Sequence, residues 1–397
     1  MATETHLEKI GPSVFSPGRH IPALDGLRGI AILLVVLFHV LLHLQWESAT
    51  AGSIAKALGF GWLGVDIFFV LSGFLITGIL LDTRHTARRF KNFYARRFLR
   101  IIPVYYLMLA VIFVMLPIVV PFDTDGLRKI QANQGWMWTH MTNLGFVWHR
   151  KVWASSDWLA LDHLWSLAVE EQFYLAWPLV VYFFRSRTVM WIATACLIFS
   201  TALRAVIWLL DMRNGAIYFP TPCRLDGLAL GAIIAIFWRG GVDPTILNRK
   251  FGFIAVVAIG LLGALIWWRG GLEFTDSPTA VFAPLLINVL TACTIIFVIG
   301  GGISGRFLTL LTHPALTTVG KYSYGLYLFH SPLLIPLLLL IPTPVLKAKL
   351  GDEAAGNIAF AALYFTVSFA AAFVSWHGYE KHWLKLKSHF APTAAKA

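Results

Sequence analysis

The sequence has 397 residues, of which 58% are hydrophobic and 13% are charged, and its formal net charge is +12. A soluble domain carries about 25% charged residues, so the composition excludes an ordinary soluble protein and indicates a membrane protein. No nucleic-acid recognition motif accompanies the positive charge. We attribute that charge to Lys and Arg in cytoplasmic loops and expect no nucleic-acid partner.

Apolar runs recur along the chain, and many approach the ~20 residues that cross a ~30 Å hydrocarbon core. They predict an all-α, polytopic bundle of ten transmembrane helices, covering roughly residues 24–45, 60–81, 101–121, 163–184, 188–210, 222–238, 251–268, 280–301, 321–342 and 357–378.

One transmembrane domain, residues 24–378, is expected between a cytoplasmic N-terminal segment (1–23) and a cytoplasmic C-terminal tail (379–397). This orientation gives the cytoplasmic loops 20 Lys and Arg residues and the other side 9. Because Lys and Arg are enriched in cytoplasmic loops, the bias predicts that both termini are cytoplasmic.

Two ionisable residues, Arg28 and His39, lie inside the first apolar stretch. Ionisable groups are expensive in a bilayer and are kept there mainly for function. A separation of eleven residues corresponds to three helical turns plus ~20°, so both side chains share a face, about 16 Å apart along the axis. A cation and an imidazole aligned at two depths suit a long anionic substrate. The alternative is that both side chains merely cap or pack the bundle.

The second span and the basic segment after it contain further candidates. Asp66 is either a helix-start charge or a group that orients His39, and Ser72, which precedes a glycine, permits close approach of a helix or a ligand. Arg97 and Arg100 share a helix face. Their guanidinium groups are able to hold phosphates bidentately. The alternative for this pair is membrane anchoring or lipid headgroup contact.

The fourth span begins with a polar and aromatic stripe, spaced at three or four residues, formed by His163, Ser166, Glu170, Tyr174 and Trp177. Two adjacent carboxylates, Glu170 and Glu171, are hard to explain as packing, so we expect them to face a polar cavity. Glu170 is the better catalytic candidate because it lies on the stripe, while Glu171 and Tyr174 are candidates for substrate binding. The alternative is a structural ion pair with Arg204 or Arg224.

Two later spans open with polar residues near a membrane surface. Arg224 and Asp226 begin the sixth span, where they either bind an acceptor hydroxyl or brace the bundle. In the ninth span His330 is a second intramembrane imidazole, three residues after Tyr327. For His330 we favour a structural hydrogen bond over an accessory catalytic part. All three residues are retained as candidates for substrate binding.

The longest external loop, roughly residues 121–162, contains five tryptophans: Trp136, Trp138, Trp148, Trp153 and Trp158. Tryptophan is enriched at membrane–water interfaces, so we expect this loop to fold back onto the bundle. It would act there either as an interfacial lid or as an aromatic platform for sugar rings.

Several familiar sites are absent from the sequence. It contains no phosphate-binding glycine loop, no zinc-binding helix motif and no serine nucleophile turn. The three cysteines, Cys196, Cys223 and Cys293, show no metal-site spacing. We therefore expect no metal cofactor.

Together these segments resemble the acyltransferase 3 family of membrane acyltransferases, in the expected order over nearly the whole chain. The matching positions are Arg28 and His39, the run Ser72-Gly73-Phe74, Arg97 and Arg100, the stretch from His163 to Tyr174 and the segment from Tyr322 to His330. Each motif is weak alone, but the set is specific. The resemblance implies a multi-pass enzyme of the bacterial cytoplasmic (inner) membrane that takes an acyl group, above all acetyl, from cytoplasmic acyl-CoA.

The resemblance also implies an acceptor and a donor site. The acceptor would be a hydroxyl of an envelope carbohydrate or a lipid-linked saccharide, such as O-antigen or exopolysaccharide. The donor phosphates would be held by Arg28, Arg97 and Arg100, with Ser72 in the same site. The pantetheine arm would run along the first helix toward His39.

On this interpretation His39 is a general base, since its ordinary pKa near ~6.5 suits work on an acceptor hydroxyl. Glu170 or Asp66 would orient the imidazole, as the third member of a triad does. Direct attack on the thioester and a transient acyl-His39 intermediate both remain open.

Two other classes of function fit the same residues. A transporter of an anionic or lipid-linked sugar substrate would also place intramembrane charges around a cavity, but it would neither consume acyl-CoA nor release CoA. A non-catalytic subunit that scaffolds an envelope assembly is the third interpretation. Membrane lipids are expected partners in all three, and the acyl group, the acceptor and the oligomeric state stay open.

Overall fold

The computed structural model describes four stretches of the chain: residues 20–119, 124–149, 153–212 and 217–390. Within them every regular element is helical, apart from one antiparallel bridge between Ser155 and Ala160. A bilayer favours this architecture because a helix satisfies its own backbone hydrogen bonds. The predicted all-α, polytopic fold is confirmed. Most of the predicted N-terminal segment and the end of the predicted tail lie outside the described residues.

Ten long helices of the described residues form the bundle: α1 (Pro22–His43), α2 (Gly64–Asp82), α3 (Arg89–Ala110), α4 (Leu164–Phe183), α5 (Ser186–Leu209), α6 (Leu225–Arg239), α7 (Pro244–Arg269), α8 (Ser277–Ile299), α9 (Ser323–Leu340) and α10 (Glu353–Ser375). Five-residue π-helical turns, Val111–Met115 and Trp376–Glu380, follow α3 and α10.

Short helices connect or extend the long ones: Ala49–Leu58, Gly59–Leu63, Leu116–Val119, Asp125–Ala132, Gly135–Trp138, Thr142–His149, Thr221–Cys223, Gly305–Leu311, Pro314–Lys321, Thr343–Leu350, Lys381–Lys385 and Leu386–Phe390.

Eight helical stretches of the described residues are long and apolar enough to cross a membrane. Helices α4 and α6 are not among them: α4 is continuous but carries Glu170 and Glu171, which make it less apolar, and α6 has only 15 residues. The protein is therefore a multi-pass membrane protein. The count of ten spans and the cytoplasmic position of both termini stay predictions.

Helix α2 lies at the centre of the bundle, where it contacts α1, α4, α6 and α8. Helices α5 and α7 lie at the periphery, because only 17% and 11% of the residues in their most apolar stretches are buried. In a membrane such outward apolar faces meet lipid rather than water. The central helices therefore provide the polar interior of the protein, while the peripheral ones provide its lipid surface.

Close contact between α2 and α6 depends on glycine. A methyl group added at Gly73 would lie 1.9 Å from the carbonyl oxygen of Leu228 in α6, and one at Gly231 would lie 2.1 Å from that of Val70 in α2. Small residues let membrane helices approach until their backbones touch. The close approach expected at Ser72-Gly73 is thus made by another helix.

The segment predicted to be the longest external loop folds back onto the bundle, as its tryptophans predicted. Trp153 is buried, and the hydroxyl of Tyr105 in α3 donates a hydrogen bond of 2.8 Å to the carbonyl of Met137. The ring of His140 stacks on Tyr105 with 4.2 Å between ring centres. Burial lowers the pKa of His140 to about 4, so this imidazole is neutral at physiological pH. Residues 121–123 and 150–152 of the predicted loop lie outside the described residues.

We predict that Gly73→Ala destabilises the protein, because its methyl group meets backbone atoms of Leu228 that no side-chain rotation moves aside. Overpacking costs about 1–3 kcal/mol, and each kcal/mol lowers the unfolding midpoint by ~2–4 °C in a larger protein. A thermal-shift assay in detergent measures the change.

Gly260→Ala in α7 is the matched control, since nothing lies within 4 Å of the added methyl group there. Its midpoint should equal that of the wild type. An unchanged midpoint for Gly73→Ala would contradict the proposed contact between α2 and α6.

Candidate active site

Three cavities adjoin one another inside the bundle. The arginine cavity is lined by Arg28, Arg97 and Arg100, and the histidine cavity is lined by His39 and His163. The tail cavity lies against the segment that follows α10 and shares Arg28, Arg100 and Tyr324 with the arginine cavity. The three cavities thus outline a polar route through an otherwise apolar bundle.

The arginine cavity gathers seven of the predicted site residues from four helices. They are Arg28 of α1, Ser72 of α2, Arg97 and Arg100 of α3, and Glu170, Glu171 and Tyr174 of α4. Helical spacing explains the gathering, because the arginine pair and the α4 stripe each repeat at three or four residues and so face one way. The polar cavity expected around Glu170 and Glu171 is present.

Hydrogen bonds fix one wall of the arginine cavity. The Tyr174 hydroxyl donates to the Ser72 hydroxyl at 3.0 Å, and Ser72 donates to Oε1 of Glu170 at 2.7 Å. The guanidinium carbon of Arg97 lies 5.1 Å from the centre of the Tyr174 ring. Glu170 is therefore held by α2, not by the ion pair with Arg204 or Arg224 that was the alternative.

Three arginines line this cavity together with Glu170 and Glu171, but only one of the arginines forms a close ion pair with a described residue. Arg28 pairs with Asp25 at 2.6 Å, whereas neither Arg97 nor Arg100 forms an ion pair with any described residue. A planar guanidinium fork matches the oxygens of a phosphate group. Two such forks without a carboxylate partner are suited to an anionic ligand.

The histidine cavity contains the predicted general base. Nδ1 of His39 lies 2.8 Å from the carbonyl oxygen of Val35. A carbonyl only accepts hydrogen bonds, so this contact places the proton on Nδ1 and leaves the lone pair on Nε2. Nε2 is thus the nitrogen of His39 that is able to take a proton from a hydroxyl.

Aromatic rings form much of the wall around His39: Phe38, Trp62, Trp165, Tyr218, Phe219 and Phe274. None of the five loop tryptophans lines this cavity. The aromatic surface expected from the external loop is therefore supplied here by the bundle and the segments beside it. Apolar and aromatic walls with a few polar groups are typical of a site that holds a small organic ligand.

His330 lies behind the histidine cavity, and its ring centre is 4.7 Å from that of His39 and 5.2 Å from that of His163. Its Nδ1 donates to the carbonyl of Tyr327 at 2.6 Å. This is the structural hydrogen bond that the sequence favoured for His330. The described residues contain no group of three or more His, Cys, Asp or Glu side chains suited to a metal ion.

Asp66, Arg224 and Asp226 line none of the three cavities. Arg224 donates to Asp66 at 2.8 Å, and Arg204 donates to Asp226 at 2.7 Å, with all four side chains buried. These contacts join α2, α5 and α6. The structure therefore favours the bracing alternative for Arg224 and Asp226.

The orientation of His39 differs from the sequence prediction. Neither Asp66 nor Glu170 hydrogen-bonds to it, since Asp66 pairs with Arg224 and Glu170 accepts from Ser72. The backbone carbonyl of Val35 holds the imidazole instead, because an i−4 carbonyl is within reach of a helical histidine.

Sequence reasoning missed Asp162, a carboxylate that lines the histidine cavity together with His39. It precedes α4 in an irregular segment and so belongs to no periodic pattern. In the sequence, the only indication of a role for Asp162 was its position next to His163, at the start of the predicted fourth span.

Comparisons with known proteins identify the family of this chain. The sequence profile described as an acyltransferase domain, that of the acyltransferase 3 family, matches residues 21–377. The chain belongs to the acyltransferase 3 family. No solved structure matches it significantly.

Several bacterial members of the family are similar to this chain. O-acetyltransferase OatA of Staphylococcus aureus is 29% identical over 333 residues, covering 81% of this chain and 52% of the relative. Putative peptidoglycan O-acetyltransferase YrhL of Bacillus subtilis is 30% identical over 379 residues (91% and 55%), and peptidoglycan O-acetyltransferase OatA of Listeria monocytogenes is 28% identical over 352 residues (83% and 51%). The chain thus spans about half the length of these curated relatives.

We predict that Arg224→Met alone sharply reduces the yield of folded protein. It leaves the buried Asp66 charge without its partner, which costs about 3–5 kcal/mol. The double variant Asp66→Leu/Arg224→Met removes both charges and should recover most of the stability, because apolar replacement of a buried pair is often neutral. Size-exclusion profiles and unfolding midpoints in detergent measure both effects.

Acyl transfer by the folded double variant then tests whether Asp66 orients His39, the catalytic role considered for it, or only braces the bundle with Arg224. A bracing residue leaves transfer per folded molecule near the wild-type value. Loss of transfer in a well-folded double variant would contradict the bracing assignment.

Proposed function

We propose that this protein is an integral-membrane O-acetyltransferase that transfers an acetyl group from cytoplasmic acetyl-CoA to a hydroxyl of a cell-envelope polysaccharide. Peptidoglycan is the favoured acceptor, and a lipid-linked saccharide precursor is the alternative form of the same chemistry. The observation that carries the proposal is the pair Arg97 and Arg100, which lack ion-pair partners among the described residues and face one cavity with Arg28.

The donor end of the proposal rests on charge and shape. Acyl-CoA carries phosphates at one end and a thioester at the end of a long flexible arm. Arg28 and Arg100 line both the tail cavity and the arginine cavity. When these two arginines bind the phosphates of acetyl-CoA, its nucleotide lies in the tail cavity. The arm then enters the arginine cavity, beside Ser72 and Glu170.

Acceptor binding is assigned to the histidine cavity. Its aromatic walls suit the apolar faces of sugar rings, and Asp162 and His163 supply polar groups for hydroxyls. The family relatives named as peptidoglycan O-acetyltransferases support a glycan acceptor. They are bacterial proteins, and the Lys and Arg bias of the loops supports a cytoplasmic membrane with the arginine end inside.

In the transfer step Nε2 of His39 takes the proton of the acceptor hydroxyl, while the oxygen of that hydroxyl attacks the thioester carbonyl. The new C–O bond forms, the C–S bond breaks, and the CoA thiolate leaves and is protonated by the imidazolium. General base catalysis of this kind contributes about 10²–10⁴-fold. A transient acyl-His39 gives the same products in two displacements, and product-inhibition patterns distinguish the two routes.

Replacing either unpaired arginine is predicted to weaken donor binding. Loss of one charge-assisted hydrogen bond costs about 1.5–3 kcal/mol, so Arg97→Ala and Arg100→Ala should raise KM for acetyl-CoA by about 10- to 150-fold. Transfer from radiolabelled acetyl-CoA to isolated envelope glycan gives KM and kcat.

Arg96→Ala provides the matched control, because Arg96 lies on the same helix but lines none of the three cavities. Its KM should match the wild type. A KM for acetyl-CoA equal to that of the wild type in all three variants would exclude the arginine cavity as the phosphate site.

His39→Ala and His39→Gln are predicted to lower kcat by at least ~10² while the protein stays folded and binds acetyl-CoA. The glutamine variant retains a side-chain amide near Val35 but has no basic nitrogen. His85→Ala, an exposed histidine outside the cavities, should transfer acetyl groups normally. Wild-type kcat in His39→Gln would remove His39 from the mechanism.

Release of CoA separates the enzyme from a transporter. An acetyltransferase releases one CoA for each acetyl group found on the glycan. Wild-type protein that moves a saccharide across liposomes without consuming acetyl-CoA would replace the enzyme proposal with the transporter.

A further inference from the structure

The arginine and histidine cavities meet at two residues that line both of them, Val65 of α2 and Tyr327 of α9. On the proposed function, one cavity holds the thioester and the other holds the acceptor and the general base. The boundary between them is therefore the place where donor and acceptor either meet or stay apart.

Tyr327 is firmly held in that boundary. Its side chain is buried, and its hydroxyl contacts the hydroxyl of Ser166 in α4. Both hydroxyl groups reach the carbonyl oxygen of His163, at 3.0 Å for Tyr327 and 3.2 Å for Ser166. The tyrosine ring thus spans from α9 to the first turn of α4.

The backbone of Tyr327 connects this boundary to the catalytic histidine. Its carbonyl accepts the hydrogen bond from Nδ1 of His330, and the His330 ring lies edge-on to that of His39. Displacement of Tyr327 would therefore alter the contact between His330 and His39 as well as the boundary between the two cavities.

A barrier at this position answers a chemical requirement. Nε2 of His39 is able to take a proton from any hydroxyl in its cavity, and water is the commonest one. In hydrolysis the oxygen of water attacks the thioester carbonyl, the C–S bond breaks, and free CoA, acetate and a proton result. Excluding water from a reactive donor prevents such side reactions.

We propose that Tyr327 is the barrier between the donor and acceptor cavities and limits hydrolysis of acetyl-CoA when no acceptor is bound. This inference rests on the proposed function. Tyr327 acts as a positioning residue, because it separates the reacting groups and does not itself take the acyl group. The contact of Tyr327 with Ser166 and His163 opens for the acetyl carbon to meet the acceptor oxygen.

The first test measures transfer and hydrolysis separately in proteoliposomes containing the full chain. Radiolabelled acetyl-CoA is supplied with and without envelope glycan, and labelled glycan, labelled acetate and free CoA are counted. Tyr327→Ala should raise the acetate-to-glycan ratio at least about tenfold, equivalent to ~1.4 kcal/mol in the partition between the two reactions. Tyr327→Phe keeps the buried ring but loses the hydroxyl contacts with Ser166 and His163, so its ratio should lie between those of the wild type and Tyr327→Ala, and it should still transfer.

Tyr364 of α10 provides matched control variants. It is also buried but lines neither cavity, so Tyr364→Phe and Tyr364→Ala reproduce the same chemical changes away from the boundary. A loss of stability alone lowers transfer and hydrolysis together. Only an open barrier raises the ratio of labelled acetate to labelled glycan.

A second test reads the barrier without enzyme activity. Ser72→Cys places a thiol in the arginine cavity, in a chain whose Cys196, Cys223 and Cys293 are replaced by alanine. A small membrane-impermeant methanethiosulfonate, applied from the histidine-cavity side, should label this thiol at least several-fold faster when Tyr327→Ala is added. Tyr364→Ala should leave the labelling rate unchanged.

The outcomes distinguish this inference from the proposed function. Wild-type protein that neither transfers acetyl groups nor releases CoA overturns the proposed function, and the inference falls with it even if the thiol becomes accessible. Normal wild-type transfer, with neither extra acetate nor faster labelling in Tyr327→Ala, overturns the barrier alone. Loss of transfer in Tyr327→Phe as complete as in Tyr327→Ala also overturns it, because the hydroxyl would then be needed for the chemistry.

Discussion

The constraint on which the interior of the bundle depends is that the buried charges of Arg224 and Asp66 stay paired. Both side chains are fully buried, and the guanidinium carbon lies 5.0–5.7 Å from the ring centres of Phe69, Trp165 and Tyr218. Phe69 lines the arginine cavity, whereas the other two rings line the histidine cavity. One cation therefore contacts a wall of each cavity. A buried charge without its partner is strongly destabilising, so Arg224 and Asp66 must be kept or replaced together.

With that brace in place, the remaining charges divide into two chemical environments. Cationic groups gather at one end of α1, and imidazoles gather around His39, eleven residues further along. Donor recognition needs fixed positive charge, whereas proton transfer needs a neutral nitrogen with a free lone pair. The arginines and the imidazole of His39 lie in separate cavities, and Val65 and Tyr327 lie where these two cavities meet.

The sequence predicted the residues of the arginine cavity well, because periodicity within single helices suffices to group them. Arg97 with Arg100, and Glu170 with Tyr174, each share a helix face whatever the surroundings. The sequence did not predict which side chains from different helices pair with one another. Asp66 was considered as the partner of His39, yet it lies against Arg224. Asp162 escaped notice, because an irregular segment has no period from which its direction could be deduced.

By itself the sequence determined a helical, multi-pass membrane protein, its family and the depth of its ionisable residues along each helix. These follow from hydropathy, helical geometry and motif spacing, all of which are properties of contiguous chain. Tertiary structure alone decided that Arg28 and His39 line different cavities, and that Tyr327 lies where the arginine and histidine cavities meet. Those facts depend on how α1, α4 and α9 pack against one another, and contacts so distant in sequence leave no local pattern to be read.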